Sequence, residues 1–171
     1  MTLFYFIAGF VIVQRIAELF RAKRNEKVAF AAGGVEFDRG GYKVIVLMHT
    51  CFFLSLIAEY LYFNSGVNKY WYVYFALFLA AQVLRYWTIT SLGTKWNTRI
   101  IIVPGSSLVT KGPFRYMKHP NYAAVITELL VIPMMFSCYI TAGVFTVLNL
   151  LVLKRRIRIE EQALAQLERG I

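Results

Sequence analysis

The apolar residues of this chain come in long blocks, separated by short polar segments. The blocks lie at about residues 2–20, 44–63, 70–90, 122–137 and 139–153. A helix needs about 20 apolar residues to cross a bilayer, so the first three blocks are long enough and the last two are short. The pattern predicts an all-α, polytopic integral membrane protein with about five transmembrane helices.

The last two blocks are separated by a very short segment. It reads Phe136-Ser137-Cys138 and follows Pro133. One long kinked helix is the alternative, but a straight span of more than about 30 residues would overshoot the bilayer. We therefore predict that spans four and five form a tight helical hairpin.

The positions of the lysines and arginines support the count of five spans. All of them except Lys69 lie in or beside the connection between spans one and two, the connection between spans three and four, or the tail after span five. Alternate connections are therefore basic, as the positive-inside rule requires. The pattern predicts a multi-pass protein of the cell membrane, with its N-terminus outside and its C-terminus in the cytosol. Four spans would put the basic tail on the wrong side.

Composition agrees with one membrane domain. The chain has 171 residues, of which 58% are hydrophobic and 16% are charged. We expect a single domain over residues 1–171, with N-terminal helices and a glycine-rich loop in 1–63 and a binding core in 84–171. The net charge of +10 is typical of nucleic-acid proteins, but its placement beside apolar blocks favours membrane lipids as partners and no nucleic acid.

Smaller features of the sequence add expectations of their own. The first block has no basic segment before it, so we interpret it as a retained helix and not a signal peptide. The glycine-rich segment 31–41 is expected to be a flexible substrate-side loop or a plain linker. Cys51 and Cys138 lie in apolar surroundings without metal-ligand spacing, so neither a disulfide nor a metal site is expected.

Ionisable residues inside the apolar blocks are costly, so each is a candidate for a functional site. Arg15 and Glu18 are spaced to pair with each other on one helix face. His49 lies in span two, where a packing role and a catalytic role are both open. Glu59, about 15 Å further along the same helix, is expected to lie apart from the site.

Two further charges lie at similar depth in spans three and four. Arg85 is close to the cytosolic end of span three, and Glu128 is about two helical turns into span four. Glu128 is too deep to reach water easily and needs a cationic partner. We predict that the two residues pair.

The last span is expected to continue past the membrane as a cytosolic helix, because no glycine or proline occurs until Gly170. Asn149, Arg156 and Glu160 fall within about 40° of one another on that helix and form a polar stripe. Glu161 points elsewhere and is expected to pair at the surface with Lys154 or Arg158.

The predicted topology brings these polar residues to the same depth. The set comprises His49, Arg85, His119, Glu128, Asn149, Arg156 and Glu160. Their convergence predicts a pocket open to the cytosol and to the inner leaflet. Because both signs of charge face this pocket, its ligand should carry both, and it should have an apolar part that enters from the lipid.

Two segments resemble a known family. Gly-Pro-Phe-Arg-Tyr-Met-Lys-His-Pro-Asn-Tyr at 112–122 and Arg-Ile-Arg-Ile-Glu-Glu at 156–161 resemble the isoprenylcysteine carboxyl methyltransferase (ICMT) family, whose pattern is Arg-His-Pro-x-Tyr, a helical hairpin and Arg-x-x-x-Glu-Glu. The first half of the chain, with Gly-Gly-Val-Glu-Phe at 33–37 and Leu-Met-His-Thr at 47–50, resembles a bacterial branch associated with O-methylation of alkylpyrones and alkylresorcinols.

The resemblance implies S-adenosylmethionine as the cofactor and S-adenosylhomocysteine as the product. Arg156 would lie near the methyl-transfer centre. The cofactor-binding residues implied are Tyr116, Lys118, His119, Pro120, Tyr122, Glu160 and Glu161. Lys118 stands where the family usually has arginine, which keeps the charge and loses the bidentate fork. The aromatic tail of many relatives is missing, so closure of the site would fall to another segment or to a second chain in a homo-oligomer.

The combined hypothesis is O-methylation of an amphiphilic small molecule or lipid from the inner leaflet. Arg156, His49, Arg85 and Glu128 are the candidate catalytic residues. An arginine would orient a carboxylate or enolate acceptor, whereas a phenol would need a base such as His49. The alternatives are a phospholipid N-methyltransferase, an NADPH-dependent membrane reductase with a related helical core, and a non-catalytic lipid-binding scaffold.

Overall fold

The structure, a computed structural model, describes residues 2–168, with side chains described to residue 165. The elements follow in the order α1 (Thr2–Ala31), β1 (Val35–Phe37), α2 (Arg39–Tyr62), α3 (Trp71–Leu92), β2 (Ile100–Ile102), α4 (Pro120–Met135) and α5 (Tyr139–Glu168), with 3-10 turns at Gly93–Lys95 and Gly112–Arg115. In this part of the chain three helices, α1 to α3, are long and apolar enough to cross a membrane. The mostly helical membrane fold is confirmed, and the count of five spans stays a prediction.

The chain reverses sharply between α4 and α5. Ser137 has a φ of 58°, and the Cys138 N–H donates to the Pro133 carbonyl at 2.9 Å. These contacts end α4 before α5 begins, and the two helices pack on each other. A hairpin of two membrane spans stays a prediction. Glu59 of α2 accepts hydrogen bonds from the N–H groups of Ile140 at 3.0 Å and Thr141 at 2.7 Å. A carboxylate at a helix N-terminus is favourable, so Glu59 caps α5.

Apolar packing fills the interior of the bundle. Helix α4 packs between α3 and α5, and α2 packs on α5. The largest fully buried apolar side chains are Phe4, Phe52, Phe136, Leu56, Ile132 and Met135. Phe4 of α1 stacks on Tyr60 of α2 with ring centroids 3.7 Å apart. This packing closes the end of the bundle that carries the short turns, and polar residues gather towards the other end.

The prediction of an all-α fold needs one correction, because β1 and β2 form a two-stranded antiparallel sheet. Val35 lies opposite Ile102, and Phe37 lies opposite Ile100. The middle of the glycine-rich segment 31–41 therefore forms a strand. Gly34 is needed there, since a Cβ would lie 2.7 Å from the Ala29 carbonyl oxygen.

Helix α1 also extends beyond the predicted end of its span, from about residue 20 to Ala31. Ala22, Asn25 and Ala29 are buried at helical spacing, while the basic residues between them face outward. The Asn25 amide donates to the carbonyls of Trp96 at 2.7 Å and Gly93 at 3.2 Å. This contact fixes the end of α1 against the segment that follows α3.

The three basic segments of the sequence meet at one end of the molecule. Arg99 contacts Glu36 at 3.4 Å, and Arg155 contacts Asp38 at 2.7 Å. We call this the basic end; it comprises β1, β2, the segments 93–119 and the residues of α5 from 154 onward. The connections that are basic in the sequence therefore lie together at one end of the fold. The side of the membrane on which the basic end lies stays a prediction.

Candidate functional site at the basic end

The segment before α4 is held against α3 by close backbone packing. Gly112 has a φ of 65°, and a Cβ at this position would lie 2.1 Å from the Ser91 hydroxyl oxygen. The Gly-Pro turn therefore needs its glycine. Pro120 occupies the first turn of α4, where its missing N–H costs nothing. Together these features bring residues 118–122 to α5.

Tyr122 connects two charged residues of α5 through its hydroxyl group. Arg156 Nε donates to the Tyr122 oxygen at 2.9 Å, and the Tyr122 hydroxyl donates to Glu160 Oε2. Arg156 Nη2 donates to the Thr98 carbonyl at 2.7 Å. Arg156 is only 6% exposed, so its guanidinium is fixed by these partners. The predicted sharing of one helix face by Arg156 and Glu160 is confirmed.

His119 lies beside the same group. Its ring stacks on Tyr122 with centroids 5.3 Å apart, and its Nε2 lies 3.4 Å from Glu161 Oε1. Lys118 Nζ lies 4.0 Å from the same carboxylate. The predicted pairing of Glu161 with Lys154 or Arg158 was wrong, because the segment before α4 reaches this face of α5. We call Lys118, His119, Tyr122, Arg156, Glu160 and Glu161 the Arg156 cluster.

A second group of charges is buried between α1, α3 and α4. Arg85 makes a bidentate pair with Glu128 at 2.9 and 2.7 Å, and both side chains are at most 2% exposed. Arg15 bonds to Glu18 at 2.6 Å and also to Glu128. Both predicted pairs are present, but the sequence did not reveal that they form a single network.

Two glutamines complete this network. Gln82 donates to Glu128 Oε1 at 2.8 Å, and Gln14 donates to both Glu18 at 3.0 Å and Gln82 at 2.8 Å. We call Gln14, Arg15, Glu18, Gln82, Arg85 and Glu128 the buried charge cluster. Its two arginines and two glutamates balance in charge, which a buried site requires. In the sequence, the signal for Gln14 was its four-residue spacing from Glu18, which places both side chains on one helix face.

His49 of α2 borders the buried charge cluster. With Arg15 and Glu128 it lines a cavity of about 10 Å³, enough for about one water, whose other walls are apolar. His49 Nδ1 lies 2.9 Å from the Ile45 carbonyl oxygen. Because a carbonyl only accepts, Nδ1 carries the proton and Nε2 keeps a free lone pair in the neutral ring.

Most of the predicted site residues therefore belong to one of these two clusters. Asn121, next to Tyr122 on α4, lies between them with its Oδ1 3.4 Å from Arg85 Nη1. Tyr116 is in neither group, since it is 76% exposed and its ring lies beside Trp87. Thr98 and Asn121 were missed because a backbone carbonyl and a short amide carry no recognisable sequence signal.

Comparison with known proteins identifies the family. The family model of the isoprenylcysteine carboxyl methyltransferase (ICMT) family matches residues 74–166. The chain is similar to "Uncharacterized protein YpbQ" of Bacillus subtilis (strain 168), at 44% identity over 164 residues, covering 96% of this chain and 98% of that protein.

It is also similar to an "Uncharacterized protein" of Haemophilus influenzae, at 27% identity over 158 residues, covering 92% of each chain. No solved structure matches. The matched region holds most of α3, all of α4, most of α5 and the whole Arg156 cluster. The chain belongs to the isoprenylcysteine carboxyl methyltransferase family and is a membrane methyltransferase.

Proposed function

We propose that this protein uses S-adenosylmethionine to O-methylate a lipophilic acceptor at the cytosolic face of the cell membrane. The acceptor is a polyketide lipid such as an alkylpyrone or alkylresorcinol, or a lipophilic carboxylate. The proposal includes five spans, with the N-terminus outside and the basic end in the cytosol. The observation that carries it is the Arg156 cluster, a set of fixed polar groups placed where α4 enters the apolar part of the bundle.

The residues of the Arg156 cluster fit the cofactor. S-adenosylmethionine has an ammonium group, a carboxylate, a sulfonium and an adenosine, so its site must offer both signs of charge. Glu160 and Glu161 offer two carboxylates, while Arg156, Lys118 and His119 offer cationic or polar donors. When bound, the cofactor supplies an activated methyl group that needs no covalent help from the protein.

Within that chemistry, the protein's residues bind, orient and exclude water. Arg156 is the cation at the boundary between the polar end and the apolar interior. Its Nε and Nη2 are held by Tyr122 and Thr98, and it is placed to attract the anionic oxygen of an acceptor. Burial strengthens this attraction, because the surroundings are less polar than water.

His49 is the candidate base for a phenolic acceptor. Its Nδ1 proton is held by the Ile45 carbonyl, so Nε2 is the nitrogen that accepts a proton. The cavity beside it is mostly apolar, with Phe52, Phe53 and Leu129 among its walls.

Arg85 and Glu128 act in this proposal by holding α1, α3 and α4 in register. Each is bonded to the other and to neighbours, and both side chains are at most 2% exposed, so neither is open to an acceptor. Arg15, whose side chain is 20% exposed, is the arginine of the buried charge cluster that reaches the cavity. Arg15 is therefore the better candidate to orient an anionic acceptor beside His49.

Calorimetry with S-adenosylhomocysteine and transfer of labelled methyl groups to membrane lipids test the proposal on purified protein. We expect Glu160→Gln to weaken S-adenosylhomocysteine binding about tenfold or more, since a charge-assisted contact is lost. Glu26→Gln is the matched control, because Glu26 lies at the same end but contacts Arg99 at 3.5 Å. Absence of any labelled lipid at saturating cofactor would refute the proposal, and a labelled amine would indicate N-methylation instead.

A further inference from the structure

Asn149 is a buried amide that the protein itself does not satisfy. It lies in the first half of α5 and is 1% exposed. In the part of the chain that the structure describes, neither its Oδ1 nor its Nδ2 has a hydrogen-bond partner. A buried polar group without a partner costs free energy, and the cost is greatest in an apolar membrane interior. A bound ligand or a buried water can supply the missing contact, and a ligand with both a donor and an acceptor would satisfy both atoms of the amide.

The neighbours of Asn149 show that it faces the interior of the bundle. Phe145 and Leu153, one turn before and one turn after, are buried on the same face of α5. The ring of Phe145 packs on Phe52 of α2 with centroids 5.7 Å apart. Arg156 lies on this face two turns further on, at a helical rise of about 10 Å. Asn149 is therefore the polar group that lies deeper in the bundle on the face that holds the Arg156 cluster.

Thr146, one turn earlier, shows why Asn149 is unusual. Its hydroxyl oxygen is also buried without a partner. A threonine hydroxyl in a helix can rotate to the carbonyl one turn before it, as Thr50, Thr88 and Thr127 do. An asparagine amide has both a donor and an acceptor to satisfy, and its shape makes such a bond poor. Thr146 therefore has a partner within reach, and Asn149 needs one from outside α5.

We propose that Asn149 binds the polar head of the methyl acceptor, which rests on the function proposed above. Its Oδ1 accepts a hydrogen bond from a hydroxyl of that head, and its Nδ2 donates to an oxygen. The head must then carry a hydroxyl besides the oxygen that is methylated. Dihydroxy-aromatic and hydroxy-enone heads on an apolar chain meet this requirement. An ionised fatty acid does not, because it offers only acceptors.

Acceptor binding can be measured by calorimetry without cofactor, using a long-chain alkylresorcinol and a fatty acid of equal chain length as probes. We expect the wild type to bind the alkylresorcinol at least about tenfold more tightly than the fatty acid. Asn149→Leu, which replaces the amide with a larger apolar group of the same branched shape, should abolish this preference. The variant should keep its affinity for S-adenosylhomocysteine and should unfold at the same or a higher temperature. Thr146→Val is the matched control and should bind like the wild type.

The outcomes separate this inference from the function on which it rests. The role of Asn149 is overturned if the wild type and Asn149→Leu bind the alkylresorcinol with equal affinity. It is also overturned if the wild type binds the alkylresorcinol no more tightly than the fatty acid. Loss of alkylresorcinol binding in Asn149→Leu alone supports it, whether or not methyl transfer is seen. Wild-type protein that binds the alkylresorcinol but transfers no labelled methyl group leaves the role of Asn149 standing and refutes the methyl-transfer proposal.

Discussion

At the scale of single residues, Tyr122 contacts three other members of the Arg156 cluster. Its hydroxyl accepts from Arg156 and donates to Glu160, and its ring stacks on His119. A tyrosine with these contacts fixes the direction of a guanidinium and of a carboxylate at the same time. The Tyr122 oxygen is therefore one of the atoms that fix Arg156, and it is the atom that joins Arg156 to Glu160.

Tyr122→Phe should remove both hydrogen bonds and leave the ring packing intact. We expect the catalytic efficiency to fall about 10-fold to 100-fold, because two charged groups lose their fixed orientation. The measurement is labelled methyl transfer together with a thermal unfolding curve. Tyr116→Phe is the control, since Tyr116 is 76% exposed and lies outside both clusters. A Tyr122→Phe protein as active as the Tyr116→Phe protein would contradict a positioning role.

Single residues also show where prediction from the sequence worked. The pairing of Arg85 with Glu128 followed from depth alone, because a buried carboxylate needs a cation and few cations lie within reach. The partners of Glu161 did not follow from its depth or from helical spacing. Helical spacing shows only contacts within one helix, and Glu161 meets His119 and Lys118 from a distant segment. The capping role of Glu59 was missed for the same reason.

At the scale of helices, the buried charge cluster joins α1, α3 and α4. Apolar side chains alone do not fix how such helices are rotated and shifted within a membrane, since lipid tails are as apolar as leucine. Directional bonds from Arg85 to Glu128 and from Gln14 to Gln82 do fix it. The cluster therefore specifies one arrangement of the three helices.

Glu128→Gln should destabilise the protein strongly, because it leaves two arginines facing one carboxylate in a buried place. Breaking a buried ion pair costs about 3–5 kcal/mol. Thermal unfolding of the purified protein in detergent measures the effect. Replacing both partners, as Arg85→Met with Glu128→Leu, should restore much of the stability, since Arg15 and Glu18 still balance each other.

An ion pair with an exposed arginine provides the control for this prediction. Arg39 is 79% exposed and pairs with Glu36 at 3.1 Å, so Arg39→Ala should change stability by less than about 1 kcal/mol. If Glu128→Gln and Arg39→Ala lost comparable amounts of stability, a special role of the buried charges would be contradicted. A double variant less stable than Glu128→Gln would show that the pair is not replaceable by apolar side chains.

The sequence predicts the helices better than it predicts the strands. Blocks of about 20 apolar residues identify α1 to α3, because only a helix satisfies its own backbone in lipid. The strands β1 and β2 have three residues each, too few for an alternating pattern to be recognised. Their pairing is set by tertiary contacts, such as that of Arg99 with Glu36. The continuation of α1 to Ala31 likewise depends on contacts of Asn25 with a distant segment.

At the scale of the whole molecule, both charged clusters of the described residues lie at the basic end or in the interior beside it. The turn that joins α2 to α3 and the turn that joins α4 to α5 are closed by apolar packing and by capping bonds at Glu59. The basic end holds the Arg156 cluster, and the buried charge cluster lies next to it. Under the proposed function, this polarity would give an amphiphilic acceptor one direction of approach, with its chain in the bilayer and its head towards Arg156.

The topology of the whole chain is the last property that can be tested directly. Helix α4 has 16 residues and a length of about 24 Å, short of the roughly 30 Å hydrocarbon core. The count of five spans therefore depends on whether the turn at Ser137 reaches the outer surface. The test uses a chain in which Cys51 is replaced by serine and Cys138 by alanine. One cysteine is then introduced at a time, at Ser65, Ser106 or Ser137, to report on the α2–α3 turn, the segment between β2 and α4, and the α4–α5 turn.

With five spans and an outside N-terminus, a membrane-impermeant thiol reagent should label Ser65→Cys and Ser137→Cys in intact cells. Ser106→Cys, between β2 and α4, should be labelled only after the membrane is opened. Labelling of Ser106→Cys in intact cells would reverse the orientation deduced from the basic segments. If Ser65→Cys reacts and Ser137→Cys stays protected even in opened membranes, α4 and α5 form a hairpin that does not cross. The Arg156 cluster would then lie beside a re-entrant hairpin, because lipid tolerates irregular backbone at depth only where protein or water covers it.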